Sequence, residues 1–211
     1  MRTVTTTHNV CQYNELSDEA KQKVKEWYLN DPCRVQFFKD NVMNDLGYYF
    51  DNEHHNMNVQ FSLNYCQGDG VNIYGSISVN EVIDFLRNNK WFANSLSEDE
   101  MEIILLYSED TDGIGLPYNR HYCYCMADNI EFAEEWKEQL EWAIEEGYAA
   151  VDSINVELIN KFNDVVVDIF NCLCGQYETY GYEYLYEISD EEMQETCEAN
   201  EWEFHEDGTI W

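Results

Sequence analysis

After residue 128 the chain carries 23 acidic residues against two basic ones, Lys137 and Lys161. The whole chain of 211 residues has 43 acids and 11 Lys or Arg, a formal net charge of −32. Carboxylates are almost never fully buried without a partner, and here most have no basic residue to pair with. The acid-rich segments can therefore fold only where apolar residues recur at helix or strand spacing, leaving the carboxylates to water or to a basic partner. Disorder, the usual fate of acidic chains, is opposed by 45% hydrophobic and 15% aromatic residues. The same charge argues against nucleic acid or anionic lipid as a direct ligand, because a phosphate binder needs a positive footprint. No apolar run approaches the roughly 20 residues of a membrane-crossing helix. The N-terminus lacks the apolar core of a signal peptide. Eight cysteines without a leader read as reduced thiols, so the cytoplasm of a bacterial host is the expected location.

The pattern predicts an α+β fold: a mixed part over residues 1–128 with a small antiparallel sheet, and an acidic, mainly helical part over 129–211, together one compact unit. Residues 3–10 alternate like a first strand. Ser17 is placed to cap a helix carrying Val24, Trp27 and Tyr28. Asp31-Pro32 opens a second, with Val35, Phe38, Val42 and Leu46 on one face and Gly47 near its end. Residues 59–65 and 71–77 form the clearest strand pair, joined through Gln67-Gly68-Asp69-Gly70. A short helix spans 78–89, and Ser97-x-x-Glu100 is a capping box for the next. Residues 118–126 alternate like a strand. Phe132, Trp136, Leu140 and Ala143 mark one helix, and residues 155–188 carry a long helical stripe that Gly175 and Gly181 weaken. Ser189-x-x-Glu192 opens a last helix, and residues 201–211 read as a hairpin around Asp207-Gly208.

Glu131, Glu134, Glu135, Glu138, Glu141 and Glu145 lie off the apolar stripe of the helix near 131–146. Asp190, Glu191 and Glu195 extend the pattern on the last helix. Like charges at three- and four-residue spacing cost a helix a few tenths of a kcal/mol per pair. Two readings stand: a face kept for solubility, or one kept for a partner. Carboxylates one turn apart are roughly 5–6 Å from each other, similar to successive phosphates of a nucleic-acid strand. The two C-x-C pairs, Cys123/Cys125 and Cys172/Cys174, are too closely spaced for ordinary zinc ligation and read as structural thiols. Asp110-Thr111-Asp112-Gly113 is a turn, because a calcium loop fails at Ser108 and Asn119. Asp69 is explained by its turn. No phosphate loop, nucleophile elbow or zinc-protease helix is present, so neither catalysis nor a cofactor nor a metal is expected.

Three segments carry a resemblance: Glu15-Leu16-Ser17-Asp18-Glu19-Ala20-Lys21 followed by Trp27-Tyr28, Phe61-Ser62-Leu63-Asn64-Tyr65-Cys66-Gln67-Gly68-Asp69-Gly70, and Ala199-Asn200-Glu201-Trp202-Glu203-Phe204 with Glu206-Asp207-Gly208. Together they resemble a family of small acidic proteins of bacteriophages and mobile elements, some labelled antitoxin-like. The resemblance implies a phage accessory protein and carries no catalytic residues. The expectation is an acidic nucleic-acid mimic that blocks the basic channel of a host defence protein, a CRISPR effector or restriction enzyme. The alternatives are an antitoxin-like partner binding through aromatics such as Tyr180, Tyr182 and Tyr186, and an enzyme with a carboxylate-lined pocket.

Overall fold

In the computed structural model, residues 1–3, 8–50, 56–118 and 123–211 are described. They form two units, one from residues 1–38 and 181–211, the other from residues 39–180. The charge shift at residue 128 is not a packing boundary. The fold is α+β: three strands lie between Met57 and Leu116, and the regular elements after residue 129 are helices.

In the first unit, Ser17 caps α1 (Asp18–Leu29) by accepting the Ala20 N–H. Val24 and Ala20 face inward, with Tyr13, Leu16, Met193, Cys197 and Phe204 completing the core. Trp27 stays partly exposed and meets Trp202 edge to face at 5.1 Å. The expected strand at 3–10 falls partly on residues outside the described ones. Its described ends are not strand, and Cys11 makes a single antiparallel bridge to Phe204. The C-terminal α7 (Asp190–Ala199) starts at the expected capping box, Ser189 with Glu192. The hairpin beyond it is a minimal one, with Phe204 bridging Ile210. Its Gly208 takes a positive φ, and a Cβ there would sit 2.5 Å from the Ala20 carbonyl oxygen.

Helix α2 (Cys33–Phe50) starts where Asp31 accepts the Cys33 N–H at 2.8 Å. Phe38, Val42, Leu46 and Phe50 are buried, but Val35 is half exposed. The adjacent Arg34 takes the buried position, between the rings of Tyr28 and Tyr184, each 4.5 Å away. Gly47 lies near the end of the helix, three residues before Phe50.

The second unit holds the sheet. β1 (Met57–Ser62) pairs antiparallel with β2 (Gly70–Ile77) from Met57↔Gly75 to Ser62↔Gly70. Asp69 grips the connecting loop by accepting from the Ser62 hydroxyl and from the Asn64 and Cys66 N–H groups. The third strand among the described residues lies before the expected 118–126. It is β3 (Ile114–Leu116), paired with β2 from Gly75↔Leu116 to Ile77↔Ile114. Pro117 ends it, because proline has no N–H for a ladder. Residues 119–122 lie outside the described ones, and 123–126 are not strand.

Between β2 and β3 in the chain come α3 (Val79–Asn88) and α4 (Glu98–Tyr107), each opened by a capping box, Ser78 with Glu81 and Ser97 with Glu100. Then follow α5 (Ala133–Glu146) and the long α6 (Val156–Tyr186), which remains helical through both glycines. Phe50 stacks between Phe85 at 4.9 Å and Phe170 at 5.8 Å. No helix among the described residues is long and apolar enough to cross a membrane.

Glu100 does more than cap. It also accepts from the Lys161 ammonium at 2.6 Å, and these bonds pull its pKa from 4.5 to about 2, with Lys161 the largest cause. A depressed folded-state pKa gives stability that is present above 4.5 and lost as pH falls towards 2. In urea melts the advantage of wild type over Glu100→Gln should therefore be constant above pH 4.5 and shrink below it. An advantage that grows on acidification would contradict this linkage.

Candidate partner-binding surface

Helix α5 is fixed from its inner side. Trp136, Leu140 and Ala143 are buried. The Trp136 ring packs against Phe132 at 4.9 Å and Phe162 at 5.9 Å, and its Nε1–H donates to the Asp112 carbonyl at 3.0 Å. The side chain of Gln139 closes a second link, donating to Asp112 Oδ2 at 2.8 Å and accepting the Asp112 N–H at 3.0 Å. Gly147, at φ 79°, ends the helix in the left-handed conformation that residues with a Cβ avoid.

The outer side is acidic. A helix turns about 100° per residue. Glu134, Glu138, Glu141 and Glu145 therefore fall within an arc of about 60°, opposite the buried arc of Trp136, Leu140 and Ala143. All four are exposed. Lys137 reaches Glu134 at 3.5 Å. Among the described residues, Glu138, Glu141 and Glu145 have no ion pair or hydrogen bond. Glu135 lies on the flank of this row, and Glu131 precedes the helix; both are exposed. The last turn has no basic residue, so Glu145 and Glu146 stand at the negative end of the helix dipole, where carboxylates destabilise. The row thus persists against two electrostatic costs, mutual repulsion and the dipole.

Sequence reasoning missed an aromatic feature on the same surface. Trp142 and Tyr148 are more than half exposed, and their rings meet edge to face at 5.1 Å. At 100° per residue Trp142 flanks the glutamate row. Its exposure was legible, since it lies off the stripe of Phe132, Trp136, Leu140 and Ala143.

The three acids on α7 belong to the other unit. Asp190 is internally engaged: it pairs with Lys25 at 2.6 Å and accepts the Tyr13 hydroxyl at 3.0 Å. These contacts, Lys25 first, lower its pKa. Glu191 and Glu195 are exposed and one turn apart, with no partner among the described residues. The tyrosines weighed as an aromatic patch are partly engaged. Tyr180 accepts from Asn41 at 3.1 Å, and Tyr182 packs on Tyr186 at 6.1 Å.

The other acidic motifs are structural. Asp110 accepts the Ala150 N–H at 2.8 Å, and Asp112 braces Gln139. Hydrogen bonds, the Cys66 N–H first, hold Asp69 far below the usual carboxylate range. Among the described residues no three His, Cys, Asp or Glu side chains cluster as a metal ion would require. A cavity of about 370 Å³ beside Tyr49, Phe85 and Trp91 has Lys90 as its charged residue and no carboxylate. No known family, curated protein or solved structure matches this chain.

Proposed function

We propose that the protein is a non-enzymatic, phage-type inhibitor that acts as an acidic nucleic-acid mimic. Its partner is a host defence protein with a basic nucleic-acid channel, a CRISPR effector or a restriction enzyme. The observation that supports this reading is the row Glu134, Glu138, Glu141 and Glu145 on the outer side of a helix whose inner side is locked. The helix is about 21 Å long at 1.5 Å per residue, so the row offers fixed negative charge to Lys and Arg groups spaced for phosphates. Rigid carboxylates replace phosphates without an ordering cost at the moment of binding. The surrounding net charge of −32 steers a basic partner inwards.

The reading is tested with a variant in which these four glutamates become glutamine. It should keep the wild-type circular dichroism and unfold at a midpoint no lower than that of wild type, because the repulsion within the row is relieved. Its affinity for a nucleic-acid-binding partner captured at low salt should fall by about 100-fold or more. Wild-type binding should weaken steeply with salt and compete with DNA or RNA. Undiminished binding by the variant would overturn the proposal. Salt-tolerant binding lost in Trp142→Ala would instead favour the antitoxin-like reading, in which packing around the Trp142–Tyr148 pair carries the affinity.

A further inference from the structure

The two C-x-C pairs play no part in the acidic surface, yet the fold brings one member of each together. Cys123 N–H donates to the Gly68 carbonyl at 3.1 Å. Met126 N–H donates to the buried Asn72 Oδ1 at 2.8 Å. These bonds fix the backbone on either side of Cys125. Its sulfur then lies against α6, 3.2 Å from Asn171 Oδ1 and 4.0 Å from the Phe170 carbonyl oxygen. Phe170 is one helical turn before Cys174, so the Cys174 side chain leaves α6 on the face that the Cys125 sulfur approaches, and each thiol shifts the other's titration. Cys174 is buried, whereas Cys125 is partly accessible.

The chemistry at the two sulfurs is unequal. The bond from Cys174, followed by the Ala127 N–H at 3.5 Å, lowers the Cys125 pKa from 9.0 to about 7 despite its burial. Bonding to Cys125 and burial push Cys174 up. The exposed thiols Cys33 and Cys66 are also raised, chiefly by hydrogen bonds to Asp31 and Asp69. The thiolate is the nucleophile in thiol chemistry. A partly accessible thiol with thiolate character, packed on a helix one turn from a second thiol, is the arrangement of a redox-sensitive pair.

We propose that Cys125 is a peroxide-sensitive thiol and that Cys174 resolves it, closing a reversible disulfide that clamps residues 123–126 to α6. The Cys125 thiolate attacks one oxygen of hydrogen peroxide. The O–O bond breaks, the sulfur becomes a sulfenic acid, and the other oxygen leaves with a proton as water. The Cys174 sulfur then attacks the Cys125 sulfur. The S–O bond breaks and a second water leaves, carrying the thiol proton. In sum two thiols and one peroxide give one disulfide and two waters. A dithiol reductant reverses the change by taking up the disulfide's oxidising equivalents.

The full chain is treated with one equivalent of hydrogen peroxide near neutral pH and mapped by peptide mass spectrometry. The expected product is a Cys125–Cys174 cross-link that a dithiol removes. In Cys174→Ala the oxidation should stop at a Cys125 sulfenic acid that a dione reagent traps. A disulfide between other cysteines, or oxidation of Cys33 or Cys66 ahead of Cys125, would overturn the proposal. A second measurement needs no variant. Under limiting iodoacetamide the native protein should be alkylated at Cys125 about fivefold faster than at the more exposed Cys33 and Cys66. Equal or reversed rates would also overturn it.

Discussion

Replacing Trp136 by alanine should lower the unfolding free energy by about 3–5 kcal/mol, the range for removing a large buried aromatic. The side chain is 1% exposed and lies between Phe132 and Phe162. Its loss leaves a cavity under the middle of α5. It also leaves the Asp112 carbonyl without the indole N–H that it accepts, a further cost when the acceptor stays buried. Domains are stable by only about 5–15 kcal/mol, so this one change would remove a large part of the total. Urea unfolding should show a lower midpoint with an unchanged slope. Trp142→Ala is the control: the ring is 59% exposed and its removal should cost about 0.5 kcal/mol or less. Similar losses for the two tryptophans would mean that α5 is not anchored through Trp136. In the Trp136 variant partner binding should fall too, although every carboxylate is retained, because the row depends on the helix being held.

The second large effect is expected at Gly75. This residue sits in the central strand, opposite Met57 on one side and Leu116 on the other. Its φ is +125°, and a Cβ built there would lie 1.9 Å from the Asn56 carbonyl oxygen. That oxygen also accepts the Ser76 N–H at 3.0 Å. The obstruction is backbone, so no side-chain rotation relieves it. Strain at an unfavourable φ costs about 1–3 kcal/mol, and forced repacking adds a similar amount. Gly75→Ala should therefore destabilise by about 3 kcal/mol or more. Gly115→Ala is the comparison, since a Cβ there meets nothing within 4 Å. It should remain within about 1 kcal/mol of wild type. Equal midpoints for the two variants in thermal or urea melts would show that the β1 edge can move away.

What the sequence revealed was mostly local. Ser97 with Glu100 and Ser189 with Glu192 are capping boxes in the structure, and such boxes are written within four residues. The inner stripe of α5 was visible because Phe132, Trp136, Leu140 and Ala143 repeat at helical spacing, and all four are buried. The third strand was not visible. Three residues, Ile114 to Leu116, are too few to show alternation, while the tyrosines at 118, 122 and 124 show it in the sequence. The engagement of Asp190 depends on Lys25 and Tyr13, more than 160 positions away in the chain. The meeting of Cys125 with Cys174 likewise crosses from a loop to α6. Neither has a short-range signature. Within the candidate surface, the glutamates were legible as acids off an apolar face. Their narrowing to a row of four, and the aromatic pair beside it, required the helix bounds and the burial of each residue.

The first unit joins residues 1–38 to residues 181–211, and this sets an order of events during synthesis. α1 emerges from the ribosome before the second unit, with Tyr13, Leu16 and Val24 ready to be covered. Their partners Met193, Cys197 and Phe204 lie more than 160 positions further along the chain and are made correspondingly later. At about 5–20 residues per second, the intervening stretch takes on the order of ten seconds to translate. The second unit, residues 39–180, is complete within the chain before the first can close. α1 therefore waits with an apolar face open while residues 39–180 fold. A chaperone meeting the nascent chain would find its binding surface there, and removing Met193, Cys197 and Phe204 would leave that surface uncovered.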